Sequence, residues 1–278
     1  MLLMSRLLIV ALVLSSTLLA TTSDTKIVKF LKKSFKANPN IVSMKIDVVE
    51  KMPVKKPKGW QAYIVGIDAV VKDKSKKRNV SQKMIWFSNG DIITQELIDM
   101  KTGKSLKDAV SPMMKAKHYK KENLIYGDVN AKHKVAIFSD PLCPFCRTFV
   151  PKAIKYMKSK PEQFALYYYH FPLPSLHPAA VELSKAAIAL ELKGAKDVVF
   201  RLYKVKVNAG ERDVNKILTA FNKAMGANIK AADIKTPEVL KQYKSDLKIA
   251  TDIMVQGTPT IFFDGKIDKS KKKYKEVK

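Results

Sequence analysis

The spacing of apolar residues changes character several times along this chain. From Leu7 to Leu14 the apolar run is unbroken, and Leu18-Leu19-Ala20 follows. Arg6 is the only charge before Asp24. A short apolar run behind one basic residue and ahead of a small residue reads as a secretory signal over residues 1–20, with Ala20 at the cleavage point. The run is shorter than the roughly 20 residues a spanning helix needs. Leu18 departs from the small residue preferred two places before cleavage, so an uncleaved anchor is the competing reading.

The next pattern is helical. Ile27, Leu31 and Phe35 recur at helical spacing behind Ser23 or Asp24 as a cap, and Asn38-Pro39-Asn40 stops the helix. Alternation takes over after that. Met44, Ile46 and Val48 alternate with Lys45 and Asp47, and Tyr63, Val65, Ile67 and Ala69 form a second strand. Met84 to Phe87 form a third strand. Ser88-Asn89-Gly90-Asp91 is a hairpin signal that returns the chain along Ile92 to Leu97. Residues 21–104 thus predict an α+β domain, one helix on an antiparallel sheet. It holds no cysteine, no histidine and no catalytic constellation, which points to binding or dimerisation. Residues 105–122 read as a helical linker opening at Ser105 and Asp108, although Pro112 opposes one long unbroken helix.

A second domain is expected over residues 123–278. Val135 to Phe138 is a buried-type strand, followed by Cys143-Pro144-Phe145-Cys146 and a helix to about Lys158. Phe164 to Tyr169 is the next strand. Helical patterns then run over Ala179–Leu192, Asp197–Val207, Asp213–Met225 and Pro237–Met254. Gly257-Thr258-Pro259-Thr260 leads into Ile261-Phe262-Phe263 and the turn Asp264-Gly265. Strand, helix, strand, helices, strand is an α/β order with a helical insert at about residues 175–250.

Composition narrows the chemistry. With 46% hydrophobic and 28% charged residues the chain is globular rather than disordered or collagen-like. Its 52 Lys+Arg against 25 Asp+Glu give a net charge of +27, spread over both halves. Basic runs at Lys72–Arg78 and Lys266–Lys275 read as solvated loops and a ragged tail, with attraction to anionic surfaces as the alternative. No nucleic-acid-binding motif accompanies the charge, and export argues against that partner. The 2 cysteines exclude both a disulfide scaffold and a four-cysteine zinc site.

The C-x-x-C spacing has a mechanism where it stands. Cys143 falls at a helix N-terminus, where unpaired N–H groups and the helix dipole favour a thiolate. Pro144 suits the first helical position because its missing N–H would have had no partner. Cys146, three residues on, returns to the same side and can bond Cys143. Cys143 is therefore the attacking sulfur and Cys146 the resolving one. A structural disulfide across one turn would stabilise little, and the four histidines show no ligand spacing with the pair, so neither a metal nor a cofactor is expected. Pro259 precedes a strand about 110 residues later. It is either a trans turn proline or a cis one that turns the Thr258 backbone toward an extended substrate; with the cysteine motif present, cis is favoured.

These residues carry a resemblance. Phe138-Ser139-Asp140-Pro141-Leu142-Cys143-Pro144-Phe145-Cys146, together with Gly257-Thr258-Pro259-Thr260, resembles the periplasmic thiol:disulfide oxidoreductases with a thioredoxin fold, nearest to the DsbC/DsbG type of dimeric isomerase and chaperone. The Pro144-Phe145 dipeptide and Thr258 before the proline both look like that group, as does the cysteine-free N-terminal domain, which in the family forms the dimer. The resemblance implies a homodimer in the periplasm, acting on cysteine-containing exported proteins and served by a membrane redox partner of the Dsb type. It implies isomerase or reductase activity with possible chaperone activity. The position six residues before Cys143, an acid in thioredoxin and DsbA, is Ile137 here, again as in DsbC and DsbG. Against that, His170-Phe171-Pro172-Leu173-Pro174 and His177-Pro178 look like DsbA-type inserts, so a disulfide-donating oxidase is the alternative and a mainly non-enzymatic chaperone a further one. His170 and His177 are read as surface or core packing, and Phe145 and Phe138 as excluding water from the site or packing beneath it.

Overall fold

The structure is a computed structural model that describes residues 22–73 and 76–277. The expected signal, residues 1–20, lies outside the described residues. No described helix is long and apolar enough to cross a membrane. The chain divides into two units, one of residues up to 80 with 86–95, the other of residues 81–85 with 96–278.

In the first unit, α1 (Thr22–Lys36) buries Ile27 and Leu31 and packs on β1 (Ile41–Pro53). β1 pairs antiparallel with β2 (Gln61–Asp73), whose Ala62, Tyr63, Ile64 and Val65 are all buried. β3 (Lys76–Ser88) and β4 (Ile93–Thr94) complete the sheet in the order β1-β2-β3-β4. The Asn-Gly hairpin forms as expected: the Asn89 side chain accepts from Asp91 N at 3.1 Å and Ile92 N at 2.8 Å. The returning strand is two residues rather than six. Past it the second unit resumes: β5 (Ile98–Asp99) pairs with β6 (Lys104–Ser105), and Glu96 is bound by the Ser105 hydroxyl and by Lys107 Nζ at 3.1 Å.

The expected helical linker is not a helix of any length. α2 (Lys107–Val110) lasts one turn, Ser111 is extended ahead of Pro112, and only two 3₁₀ turns, 116–118 and 121–123, follow. The segment instead packs within the second unit, against its sheet. Met114 N donates to Gly265 O at 2.9 Å, and Tyr169 Oη donates to His118 O at 2.7 Å. Gly265, at φ +81°, admits this approach, since a Cβ there would sit 2.7 Å from the Met114 carbonyl oxygen.

The second unit is built on a five-stranded mixed sheet. Its strands are β7 (Leu124–Tyr126), β8 (His133–Ser139), β9 (Phe164–His170), β10 (Thr260–Phe263) and β11 (Lys266–Ile267), in the order β11-β10-β8-β9-β7. β8 and β9 are parallel, with Ile137 opposite Tyr168 and Ser139 opposite His170; β10 runs antiparallel to β8. α3 (Pro144–Lys158) crosses between β8 and β9. Between β9 and β10 come α4 (Ala179–Leu192), α5 (Val198–Leu202), α6 (Val214–Met225) and α7 (Pro237–Asp252), close to the expected helical segments. α4 is rich in alanine and buried on most sides, which lets α5, α6 and α7 close around it in a separate apolar core.

β8 and β9 are buried on both faces, and strand alternation gives the faces different partners. Val135, Ile137, Leu166 and Tyr168 pack with α3 and the end of α5, whereas Ala136, Phe138, Tyr167 and Tyr169 pack with Ile249, Ala250 and Ile253 at the end of α7. The basic C-terminal run, expected to be ragged, is anchored. The Asp268 side chain accepts from Lys273 N at 3.0 Å, and α8 (Lys273–Glu276) buries Tyr274 edge-on against Tyr156 and Phe149.

Candidate active site

The site lies where β8 ends and α3 begins. Cys143 is the N-cap of α3, with φ −64° and ψ 124°, and Pro144 opens the helix. Arg147 N donates back to Cys143 O at 3.0 Å. Both cysteines are free thiols; Cys143 is 5% exposed and Cys146 is 0% exposed. Phe145 between them is 75% exposed, so it projects outward instead of packing beneath the site. Phe138 does not line the site either. Alternation places it on the α7 face of the sheet, stacked on Tyr169 at 4.5 Å between ring centroids.

The loop of Thr258 and Pro259 meets the pair. The Thr258–Pro259 peptide is cis, and Cys143 Sγ lies 3.6 Å from Thr258 O. Thr258 Oγ1 is buried and has no hydrogen-bond partner among the described residues. Burial pushes the Cys146 thiol up to about 12. Ile137, at the position that carries an acid in thioredoxin, is buried on the same face as Cys146.

Asp140 organises the turn into the helix. Its buried carboxylate accepts from Leu142 N at 2.7 Å and Cys143 N at 3.2 Å through one oxygen. The other oxygen accepts from Leu173 N at 2.8 Å and lies 2.9 Å from His177 Nδ1. Arg147 braces the same turn through Pro141 O at 3.0 Å and Val205 O. The sequence signal for Asp140 was an Asx turn, an aspartate two residues before a backbone N–H it can capture, and its link to His177 across 37 residues had no local signal. His177 therefore sits beside the site through Asp140. His170, by contrast, is core: its ring is buried edge-on to Tyr168, and burial pushes its pKa down to about 3. Among the described residues no three His, Cys, Asp or Glu side chains come together as metal ligands.

The arrangement can hold a reactive sulfur at a helix N-terminus, present a backbone carbonyl beside it, and keep a second sulfur beneath it. The thioredoxin family model matches residues 119–278, more than half of the chain. The chain belongs to the thioredoxin family. Among solved structures it is similar to Proteus mirabilis ScsC in a transitional conformation, at 22% identity, 54% coverage of this chain, 67% of that chain and a TM-score of 0.44. Oxidised BdbD from Bacillus subtilis is 20% identical, with 60% and 92% covered and a TM-score of 0.44. A thioredoxin-like oxidoreductase from Silicibacter pomeroyi is 18% identical, with 58% and 100% covered and a TM-score of 0.42. No curated protein matches the chain.

Proposed function

We propose that this thioredoxin-family chain is a periplasmic dithiol–disulfide oxidoreductase for exported, cysteine-containing proteins, working as an isomerase or reductase of the DsbC/DsbG type. The observation that carries this reading is the placement of Cys143 at the α3 N-terminus, 3.6 Å from the Thr258 carbonyl, with Cys146 buried one turn further on. Cys143, as thiolate, attacks a substrate disulfide, and the displaced substrate sulfur leaves as a thiolate and takes up a proton. Cys146 then loses its proton and attacks the Cys143 sulfur. That forms the Cys143–Cys146 disulfide and releases the second substrate thiolate, so the substrate gains two electrons and the protein loses them. In isomerisation the displaced thiolate opens another client disulfide, and the client thiolate so freed attacks the client sulfur of the mixed disulfide, which forms a new client disulfide and releases Cys143 as the thiolate it began as. Thr258 and Pro259 align the client strand beside the sulfurs, and the exposed Phe145 meets its apolar side chains.

In this reading residues 1–20 direct export, residues 21–104 form a homodimer, residues 105–122 connect the domains, and a membrane partner of the Dsb type resets the pair. Deleting residues 21–105 should yield a monomer in light scattering. Cys143→Ser should abolish reduction and reshuffling of a disulfide-bonded client, measured by client refolding; retention of full activity would sink the proposal. The helical insert α4–α7 supports a second reading, a DsbA-like oxidase. Trapping of free thiols in whole cells separates the two, since an oxidase rests mainly oxidised and an isomerase or reductase mainly reduced.

A further inference from the structure

The Asp140 carboxylate divides its two oxygens between two parts of the second unit. One oxygen accepts from Leu142 N at 2.7 Å and Cys143 N at 3.2 Å, in the turn that opens α3. The other accepts from Leu173 N at 2.8 Å and faces His177 Nδ1 at 2.9 Å, in the segment that leads into α4. That segment is closed on itself. Leu176 N and His177 N both donate to Leu173 O, at 2.9 and 2.8 Å, so Leu173 and His177 meet the carboxylate together. Pro178, the next residue, is the N-cap of α4.

The tautomer of His177 follows from its partner. A carboxylate held by three N–H groups only accepts, so His177 carries a proton on Nδ1 and donates it. This holds whether the ring is neutral or charged.

That bond bears on the sulfur. Asp140 is wholly buried, and a charge away from water is felt strongly by its neighbours. It fixes the Cys143 backbone at the helix start. In doing so it sets a negative charge beside the residue whose sulfur must itself become negative. The three backbone donors are present whatever side chains surround them. Among the described residues His177 is the only side chain that donates to Asp140. Arg147, the nearby cation, gives its donors to the carbonyls of Pro141 and Val205 instead.

We propose that His177 is a positioning residue of the redox site. Its Nδ1–H holds the far oxygen of Asp140 and draws the carboxylate's charge away from Cys143. The nucleophile thus keeps its place at the α3 N-terminus without the full repulsion of the group that places it. His177 acts through Asp140 rather than on the sulfur. The segment before α4, at the start of the helical insert, is thereby tied to the chemistry. The inference rests on the disulfide-exchange reading above for what Cys143 attacks.

The test reads Cys143 by itself. The reduced full chain is alkylated with iodoacetamide at neutral pH, and mass spectrometry locates the label; Cys146 has no exposed surface to compete. His177→Ala should slow the labelling of Cys143 about fivefold. His177→Asn places an amide N–H at the position of Nδ1 and should bring the rate back to within about twofold of the unsubstituted chain. His177→Gln carries the same amide one carbon further out and should stay as slow as the alanine variant. An unchanged rate in His177→Ala overturns the proposal. Equal rates in the asparagine and glutamine variants overturn it too, since the ring would then only fill space. Those two variants carry the test if the alanine variant does not fold. The unsubstituted chain is also mixed with oxidised glutathione. If Cys143 is labelled but no mixed disulfide forms, the exchange reading falls, while the labelling rates still judge His177.

Discussion

The two faces of the β8–β9 pair are made by the same fourteen residues and do opposite work. Toward α7, Phe138 stacks on Tyr169 and meets Phe262 edge-on, with Ala136, Ala165 and Ile249 filling between. Toward α3, the alternate positions include Ser139 and Tyr168, and they adjoin Cys146 and the Tyr203 hydroxyl. One face is aromatic packing; the other carries a buried row of hydroxyls in the same cluster as a sulfur. The difference teaches that a strand of period two can hold stability and chemistry side by side, provided the polar groups of the second face satisfy one another.

Three substitutions break or sharpen that contrast. The largest expected effect is on the packing face. Phe138→Ala should cost about 4 kcal/mol of stability by emptying a ring-sized space. Below its lowered melting temperature, the rate of Cys143 attack should be unchanged. Denaturant unfolding measures the first and thiol alkylation the second; equal losses in both would erase the distinction between the faces. Next comes the rim, where the two roles merge. Asp140→Ala strands the N–H groups of Leu142, Cys143 and Leu173 and should cost about 2 to 3 kcal/mol. It should slow Cys143 attack at the same time.

The smallest effect concerns the polar exception on the α7 side. Asp246 reaches the sheet edge, accepting from Asn123 Nδ2 at 2.8 Å and His170 N at 2.9 Å, and burial pushes its carboxyl up to about 7. A raised acid makes the folded state the better proton binder. Its contribution to stability is complete below the ordinary carboxylate range and is lost as pH rises through about 7. Glu191, pushed up to about 8 chiefly by burial, acts in the same sense. The unfolding midpoint should therefore fall between about pH 5 and pH 8, and Asp246→Asn should flatten that slope by up to about 1.4 kcal/mol per pH unit. An unaltered slope would show that Asp246 ionises freely in the folded chain.

Much of this was legible from local pattern. The strand before Cys143, the helix after it, the four insert helices and the strand after Pro259 all have apolar periods long enough to read. The sulfur pair was legible because Pro144 and Cys146 sit at fixed offsets from a helix start. What escaped reading was set by long-range geometry. Nothing around Tyr203 or Ser139 marks them as partners across 64 residues, and nothing around Asp140 announces His177. Phe138 was misplaced beneath the site because proximity in sequence to Cys143 outweighed strand alternation. The basic tail misled for a similar reason: its lysines set the average, while Tyr274 and Asp268 fix its position.

One feature of the pair reaches beyond catalysis. Cys146 has no surface of its own, and Cys143 has a sliver. Reagents and oxidants arriving from solution therefore encounter a single sulfur. A Cys143 that is oxidised to the sulfenic acid stands within one helical turn of a thiol that can condense with it and expel water, before oxidation goes on to irreversible products. The buried member thus works as a fuse held in reserve: it is spent only through its neighbour, and it returns the damage to the one form, a disulfide, that the cell's reductants can undo.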